Sequence, residues 1–252
     1  MSARRCRQIT YDKLGIAKNY NTWRLFNKYG YEPSFDLLAT TGGGTLFPPD
    51  ILKISSADIW LIGKFKTADD IFLKYKMDQL NIPVSFVMDQ DNVSSFKEQG
   101  ESTDSSALCF VNTQNDNLNN VYIKLANIRD RRTNPEKVIV SMTSWKGRIK
   151  NVSNVVQRIY NNTIIPDAFV LNLSEEEFQN MKKDLPDELL ALEDTFKTFE
   201  INWVGKNTKP YKKIIPTLSE YPNDIIITVD DDIEYPEDFI ENMYYEFLRG
   251  RK

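Results

Sequence analysis

The sequence predicts an α/β fold with a mainly parallel central sheet. Two observations carry that expectation. Over residues 137–252 short apolar runs alternate with stretches of helical period, and the run Ile225-Ile226-Ile227-Thr228-Val229 leads straight into Asp230-Asp231-Asp232. β-Branched residues fit a pleated strand buried on both faces. Three adjacent carboxylates cannot share that dry interior, because burying an unpaired charge costs several kcal/mol. The acids therefore belong where the strand emerges, and in open α/β sheets ligands bind at that carboxyl edge. Oxygen donors packed this closely call for a hard cation, Mg²⁺ or Mn²⁺, and such a cation suits a phosphorylated ligand.

The elements of the second half follow in order. Lys137 to Thr143 is a short buried strand, and the helix after it places Val152, Val155, Val156 and Ile159 at i, i+3, i+4 and i+7. Ala168 to Leu173 is a second strand, followed by a capping-box signature at Ser174-Glu175-Glu176-Glu177. Asp187 to Lys197 reads as a helix, Phe199 to Val204 as a third strand, Tyr211 to Leu218 as a helical piece and Asp224 to Val229 as the fourth strand. Strands alternating with helices imply a parallel, Rossmann-like sheet.

The first half is less regular. Tyr11 to Tyr29 is polar and aromatic and allows a helix. Thr40 to Pro49 contains Gly42-Gly43-Gly44 and reads as a flexible loop closed by the rigid pair Pro48-Pro49. Thr67-Ala68-Asp69-Asp70 opens a helix running to about Leu80, and Ile82 to Met88 looks like a strand. Asn92 to Ser106 is polar, Asn112 to Asn120 is Asn-rich ahead of a further helix, and the charged stretch Ile128 to Glu136 is the expected linker. No internal repeat is found.

Composition bounds the chemistry. A chain of 252 residues with 41% hydrophobic and 27% charged residues can bury a full core, as one large domain or two small ones. The net charge of −4 argues against nucleic acid as the main partner, although basic clusters occur at Arg4 to Arg7 and Arg129 to Arg132. No apolar run approaches the roughly 18–20 residues of a membrane span, and the first residues lack the apolar h-region expected of a secretory signal. Two cysteines, Cys6 and Cys109, form no disulfide framework or zinc spacing, so a reducing, cytoplasmic setting is expected. The chain has no histidine, which excludes Ser-His-Asp triads, Cys-His dyads and histidine phosphotransfer. Acid–base work falls to carboxylates, Lys or Tyr.

The residues Val138-Ile139-Val140-Ser141-Met142-Thr143-Ser144-Trp145, with Arg148 following, resemble the opening strand of bacterial GT-A glycosyltransferases. The stretch from Lys209-Pro210-Tyr211-Lys212-Lys213 through Tyr235-Pro236 is similar to their Lys-rich segment leading into the Asp-x-Asp metal motif. In such enzymes a Gly-rich, Pro-Pro loop and an acidic helix start follow the metal motif. Here Gly42 to Pro49 and Ala68-Asp69-Asp70 precede it. The resemblance therefore implies one GT-A-like domain with its halves exchanged: an acceptor-side half at 1–128, a linker at 129–136 and a nucleotide-sugar half at 137–252. A circular permutation explains that order, since termini close together at a surface permit it. Pairing of halves between two chains is the rival explanation.

Roles follow, each beside its plainer alternative. By resemblance Asp230 and Asp232 frame the cation and Asp231 faces the ribose or the metal's waters. The ion then bridges the two phosphates and takes up charge as the nucleoside diphosphate leaves. The plainer alternative is an acidic turn capping the helix after Pro236. Asp70, or else Asp69, would deprotonate the acceptor hydroxyl; plainly read, Thr67 to Asp70 is a capping box in a favourable dipole. Gly42, Gly43 and Gly44 border the acceptor by resemblance, or form a simple turn. Lys209, Lys212, Lys213 and Arg148 are either solvated charges or diphosphate contacts. Thr143 and Ser144 should face the base or ribose, and Asn172, at the end of the second strand, likewise. Trp145 and Trp203 read as core or rim, and Asp89 to Asn92 and Asn115 to Asn117 lack the spacing of calcium loops.

The expected function is metal-dependent transfer of a sugar from a nucleoside diphosphate, UDP by resemblance, to a glycan or lipid-linked sugar acceptor, with inversion. The expected cofactor is Mn²⁺ or Mg²⁺, and the setting is the cytoplasm, with peripheral association at the inner membrane face. A sugar-phosphate nucleotidyltransferase and a non-catalytic nucleotide- or carbohydrate-binding protein are the alternatives.

Overall fold

The computed structural model describes residues 1–28, 31–49, 54–87, 112 and 118–251. The sequence readings at Asp89 to Asn92, Asn92 to Ser106 and Asn115 to Asn117 lie outside the described residues. The chain divides into two compact units, Met1–Asn134 and Pro135–Lys252, and the division falls inside the expected linker.

The first unit is built from short strands: β1 (Ser2–Ala3), β2 (Cys6–Gln8), β3 (Arg24–Leu25), β4 (Leu37–Ala39), β5 (Thr45–Leu46) and β6 (Ser85–Phe86). Among the described residues its α-helices are α1 (Ser56–Phe65), α2 (Asp69–Gln79) and α3 (Leu118–Leu125). The strands form two three-stranded sheets, ordered β5-β1-β6 and β3-β2-β4. Cys6, Leu37, Ala39 and Val84 make a small buried cluster behind them. The helix allowed at Tyr11 to Tyr29 is not formed. A Tyr11–Ala17 bridge, a 3-10 turn at Tyr20–Thr22 and β3 occupy that stretch. The strand expected from Ile82 contracts to β6, with Val84 bridging Ser34.

The expected linker is not a free connection. Arg129 pairs with Ile16 in a bridge and sends its Nε–H to the Asn134 carbonyl at 3.2 Å, while Asn134 Nδ2 donates to the Leu14 carbonyl at 2.7 Å. Gly15, at φ +76°, is what lets the chain pass here, since a Cβ on it would lie 2.4 Å from Asn134 Nδ2.

The second unit is α/β. Its strands are β7 (Val138–Thr143), β8 (Ala168–Ser174), β9 (Phe199–Val204) and β10 (Ile225–Val229), all parallel and ordered β10-β7-β8-β9. Between them come α4 (Val152–Tyr160), α5 (Asp187–Thr195) and α6 (Ile215–Glu220), and α7 (Phe239–Gly250) follows β10. Val138, Ile139, Val140, Phe169, Val170 and Leu171 are fully buried, as strands covered on both faces must be. α4 buries Val152, Val155, Val156 and Ile159, its predicted face, and Tyr160 extends that face to stack on Phe196 at 4.0 Å between centroids.

Two local expectations are corrected. Ser174 caps no helix: it is the last residue of β8, and its hydroxyl accepts the Glu176 N–H in a tight turn. Thr67 does not cap α2 either, because its hydroxyl donates to Asn112 Oδ1 at 2.5 Å. A true capping box sits one helix earlier, between Ser55 and Asp58 at the start of α1.

Candidate functional site

The strand order of the second unit fixes where a ligand can enter. The chain runs β7, β8, β9 in one direction and then returns to place β10 on the other side of β7. Loops leaving β7 and β10 therefore diverge to opposite faces and open a crevice at the carboxyl edge, a topological switch point. A pocket of about 400 Å³ lies there. Thr143, Ser144 and Arg148 reach it from the end of β7, and Asp230 and Asp231 from the end of β10. A 3-10 turn at Lys209–Lys213 supplies Lys209, Lys212 and Lys213 as a third wall.

The three acids have three different surroundings. Asp230 is exposed, and its Oδ1 accepts from Lys213 Nζ at 2.5 Å. Asp231 is 6% exposed and spends its oxygens on Ser144 Oγ at 2.6 Å and Arg148 Nη1 at 3.1 Å. Asp232 is exposed and accepts from the same Arg148 nitrogen at 2.7 Å. Asp231 thus anchors the loop, and its two neighbours are left facing solvent. The hydrogen bond to Asp231, with the charge of Asp232, holds the Arg148 guanidinium above its ordinary pKa. Tyr235 fixes the loop from the far side, accepting the Asp230 N–H at 2.8 Å.

Among the described residues no group of three or more Asp, Glu or Cys side chains is arranged to hold a metal ion. That geometry is not a protein cage. Mg²⁺ can also bind through only one or two carboxylates and complete its shell with phosphate oxygens and water. Asp230 and Asp232 have the donor chemistry for this, with Lys213 and Arg148 as the cationic groups already on them.

Glu177 and Asn207 were not singled out as site residues in the sequence, whereas Trp145 was read there as core or rim. Glu177, assigned there to a cap, accepts from the buried Lys212 Nζ at 2.7 Å across the pocket wall, with Asn207 Oδ1 as second acceptor at 3.0 Å. Trp145 is half exposed on the pocket rim, and its ring lies directly over Gly147, where a Cβ would come within 2.3 Å of it. Only a glycine permits that seat. Asn172 is the correction in this unit. β8 runs on to Ser174, so Asn172 sits two residues inside the sheet, is fully buried and does not face the crevice.

The acids of the first unit form their own constellation. Asp70 is half-buried and accepts the Thr41 N–H at 2.7 Å, and the exposed Asp69 accepts the Thr41 hydroxyl at 2.9 Å. Thr41 opens the 3-10 turn Thr41–Gly43, so the Gly-rich segment and the acidic helix start are bound together. The Gly-rich segment is a closed turn and not an open loop: Gly44 adopts φ +90°, its N–H returns to the Thr41 carbonyl, and its own carbonyl accepts from Arg4. Burial raises the Asp70 pKa above the usual carboxylate value, against the lowering pull of the Thr41 hydrogen bonds.

No protein-family model matches this chain, and no curated protein matches it in sequence.

Proposed function

We propose that this protein is a metal-dependent glycosyltransferase that takes a sugar from a nucleoside diphosphate, UDP by resemblance, and passes it to a carbohydrate hydroxyl with inversion. One observation carries the reading: the exposed Asp230 just past β10 and the cations Arg148 and Lys213 line one pocket at the switch point of a parallel sheet, with Asp232 bonded to Arg148 beside it. A diphosphate needs both kinds of group there. Arg148 and Lys213 offer donors to its oxygens, and Asp230 and Asp232 would hold the divalent ion. That ion would contribute Lewis-acid neutralisation of charge on the leaving diphosphate.

Thr143 and Ser144, on the β7 side, suit the base or ribose. Asp70 takes the role of base, and its raised pKa makes it a better proton acceptor than an ordinary aspartate once ionised. Within this reading the chain is a GT-A-like protein whose halves follow one another in permuted order. Its acceptor is a glycan or lipid-linked sugar met at a membrane face. Among the described residues no helix is long and apolar enough to cross a membrane. A nucleotidyltransferase is disfavoured by the loop after β7, whose single glycine, Gly147, is covered by Trp145 instead of being open to phosphate.

Calorimetry with UDP in the presence and absence of Mn²⁺ tests the binding half, and UDP release from a panel of UDP-sugars tests turnover. Metal-independent UDP affinity, or none, would overturn the reading.

A further inference from the structure

A largely buried polar network runs through the sheet to the turn that carries Lys213. Ser141 on β7, Asn172 on β8 and Thr217 on α6 are all fully buried. Ser141 Oγ is 2.5 Å from the Lys213 carbonyl and 2.7 Å from Thr217 Oγ1. Asn172 Nδ2 lies 3.2 Å from Ser141 Oγ and 3.0 Å from Thr217 Oγ1, and Asn202 Nδ2 lies 2.7 Å from Asn172 Oδ1.

Counting donors orients every bond. A carbonyl only accepts, so the single hydroxyl proton of Ser141 goes to Lys213. Ser141 must then accept from Thr217, whose proton is thereby used. Both hydroxyl oxygens are left needing donors, and the two amide protons of Asn172 supply them. Asn202 completes the chain by donating to Asn172. The result is a one-way relay across β9, β8 and β7 that ends on the main chain of Lys213.

That endpoint matters because the junction has no local cap. Ile214 precedes α6 without any side-chain hydrogen bond to the helix start. Lys213 closes the 3-10 turn beside it, and its ammonium reaches Asp230. We propose that Ser141 is a positioning residue: through the Lys213 carbonyl it holds the Lys213 side chain against Asp230, and so sets the cationic wall of the diphosphate pocket. The functional consequence rests on the glycosyltransferase reading, whereas the mechanical link does not.

The test separates the two. The wild-type chain, Ser141→Ala and Thr217→Val are compared after thermal melts show that each folds, with Ser141→Cys replacing an alanine variant that does not. Without ligand, acylation of Lys213 by an activated acetate ester is followed by mass spectrometry. Loss of the bond to Lys213 should speed its labelling in Ser141→Ala by roughly three- to tenfold, the range one hydrogen bond carries. Thr217→Val keeps the Ser141–Lys213 bond and should label like wild type. Equal rates in wild type and Ser141→Ala, or equal acceleration in both variants, overturn the proposal. UDP titrations with Mn²⁺ should show weaker binding by Ser141→Ala, with that loss absent in a Lys213→Met background. A loss that persists without Lys213 also overturns it. Wild type that binds no UDP removes the glycosyltransferase reading and leaves the labelling comparison to decide the relay.

Discussion

The main-chain N–H of Thr41 lies 2.7 Å from Asp70 Oδ1 and joins a glycine turn to the first turn of α2. A carboxylate that accepts a main-chain proton would ordinarily be more acidic than usual. Asp70 is not, because burial outweighs the hydrogen bonds.

The sign of the pH dependence follows from that balance. Asp70 binds its proton more tightly folded than unfolded, so the folded state carries the extra proton between the ordinary aspartate value of 3.8 and the higher folded one. Stability from this group is present below the lower limit and is lost as pH rises through that window. Asp70→Asn, which keeps an acceptor for Thr41, should flatten that part of the profile in urea melts across pH 3–6. A slope unchanged by the substitution would contradict the assignment.

Lys212 and Glu177 form a pair with the ammonium almost wholly buried and the carboxylate about three-quarters so. Lys212→Met should leave Glu177 with an uncompensated charge and cost about 2–3 kcal/mol, below the range for fully buried pairs because Glu177 keeps some solvent. Adding Glu177→Gln should restore much of the loss in denaturant titration.

Gly147→Ala forces the Trp145 ring off its seat. The ring is half exposed and free to swing, so the stability cost should stay within about 1 kcal/mol. Trp145 emission should shift, and UDP affinity should fall if the ring shapes the pocket rim. An unchanged spectrum would show that the seat is not needed.

Removing either exposed acid tests the cation assignment. Asp232→Ala should weaken Mn²⁺-dependent UDP binding by about tenfold or more, near 1.4 kcal/mol, with little loss of fold because the side chain is exposed. Asp231→Ala should behave differently. It leaves Ser144 and Arg148 without their shared acceptor and should lower the melting temperature as well as affinity.

Local signals determined a good part of this protein on their own. Short apolar runs and the Val152 to Ile159 period were enough to find the four strands and α4 of the second unit, because each is a contiguous segment whose burial pattern repeats along the chain. The acids were also legible, since carboxylates directly after a buried strand can only emerge at its end. The first unit was harder to read because its strands are two or three residues long and carry no period.

What only the tertiary structure decided was partnership. Arg148 meets Asp231 across 83 positions, Lys213 meets Asp230 across 17, and Thr41 meets Asp70 across 29. Asn172 turned inward because β8 continues past it and neighbouring strands meet it with Ser141 and Asn202, which no property of residue 172 alone reveals. Sequence patterns report how a segment is buried. Which polar group lies opposite another depends on strand order and register, and those are set by the packing of the whole sheet.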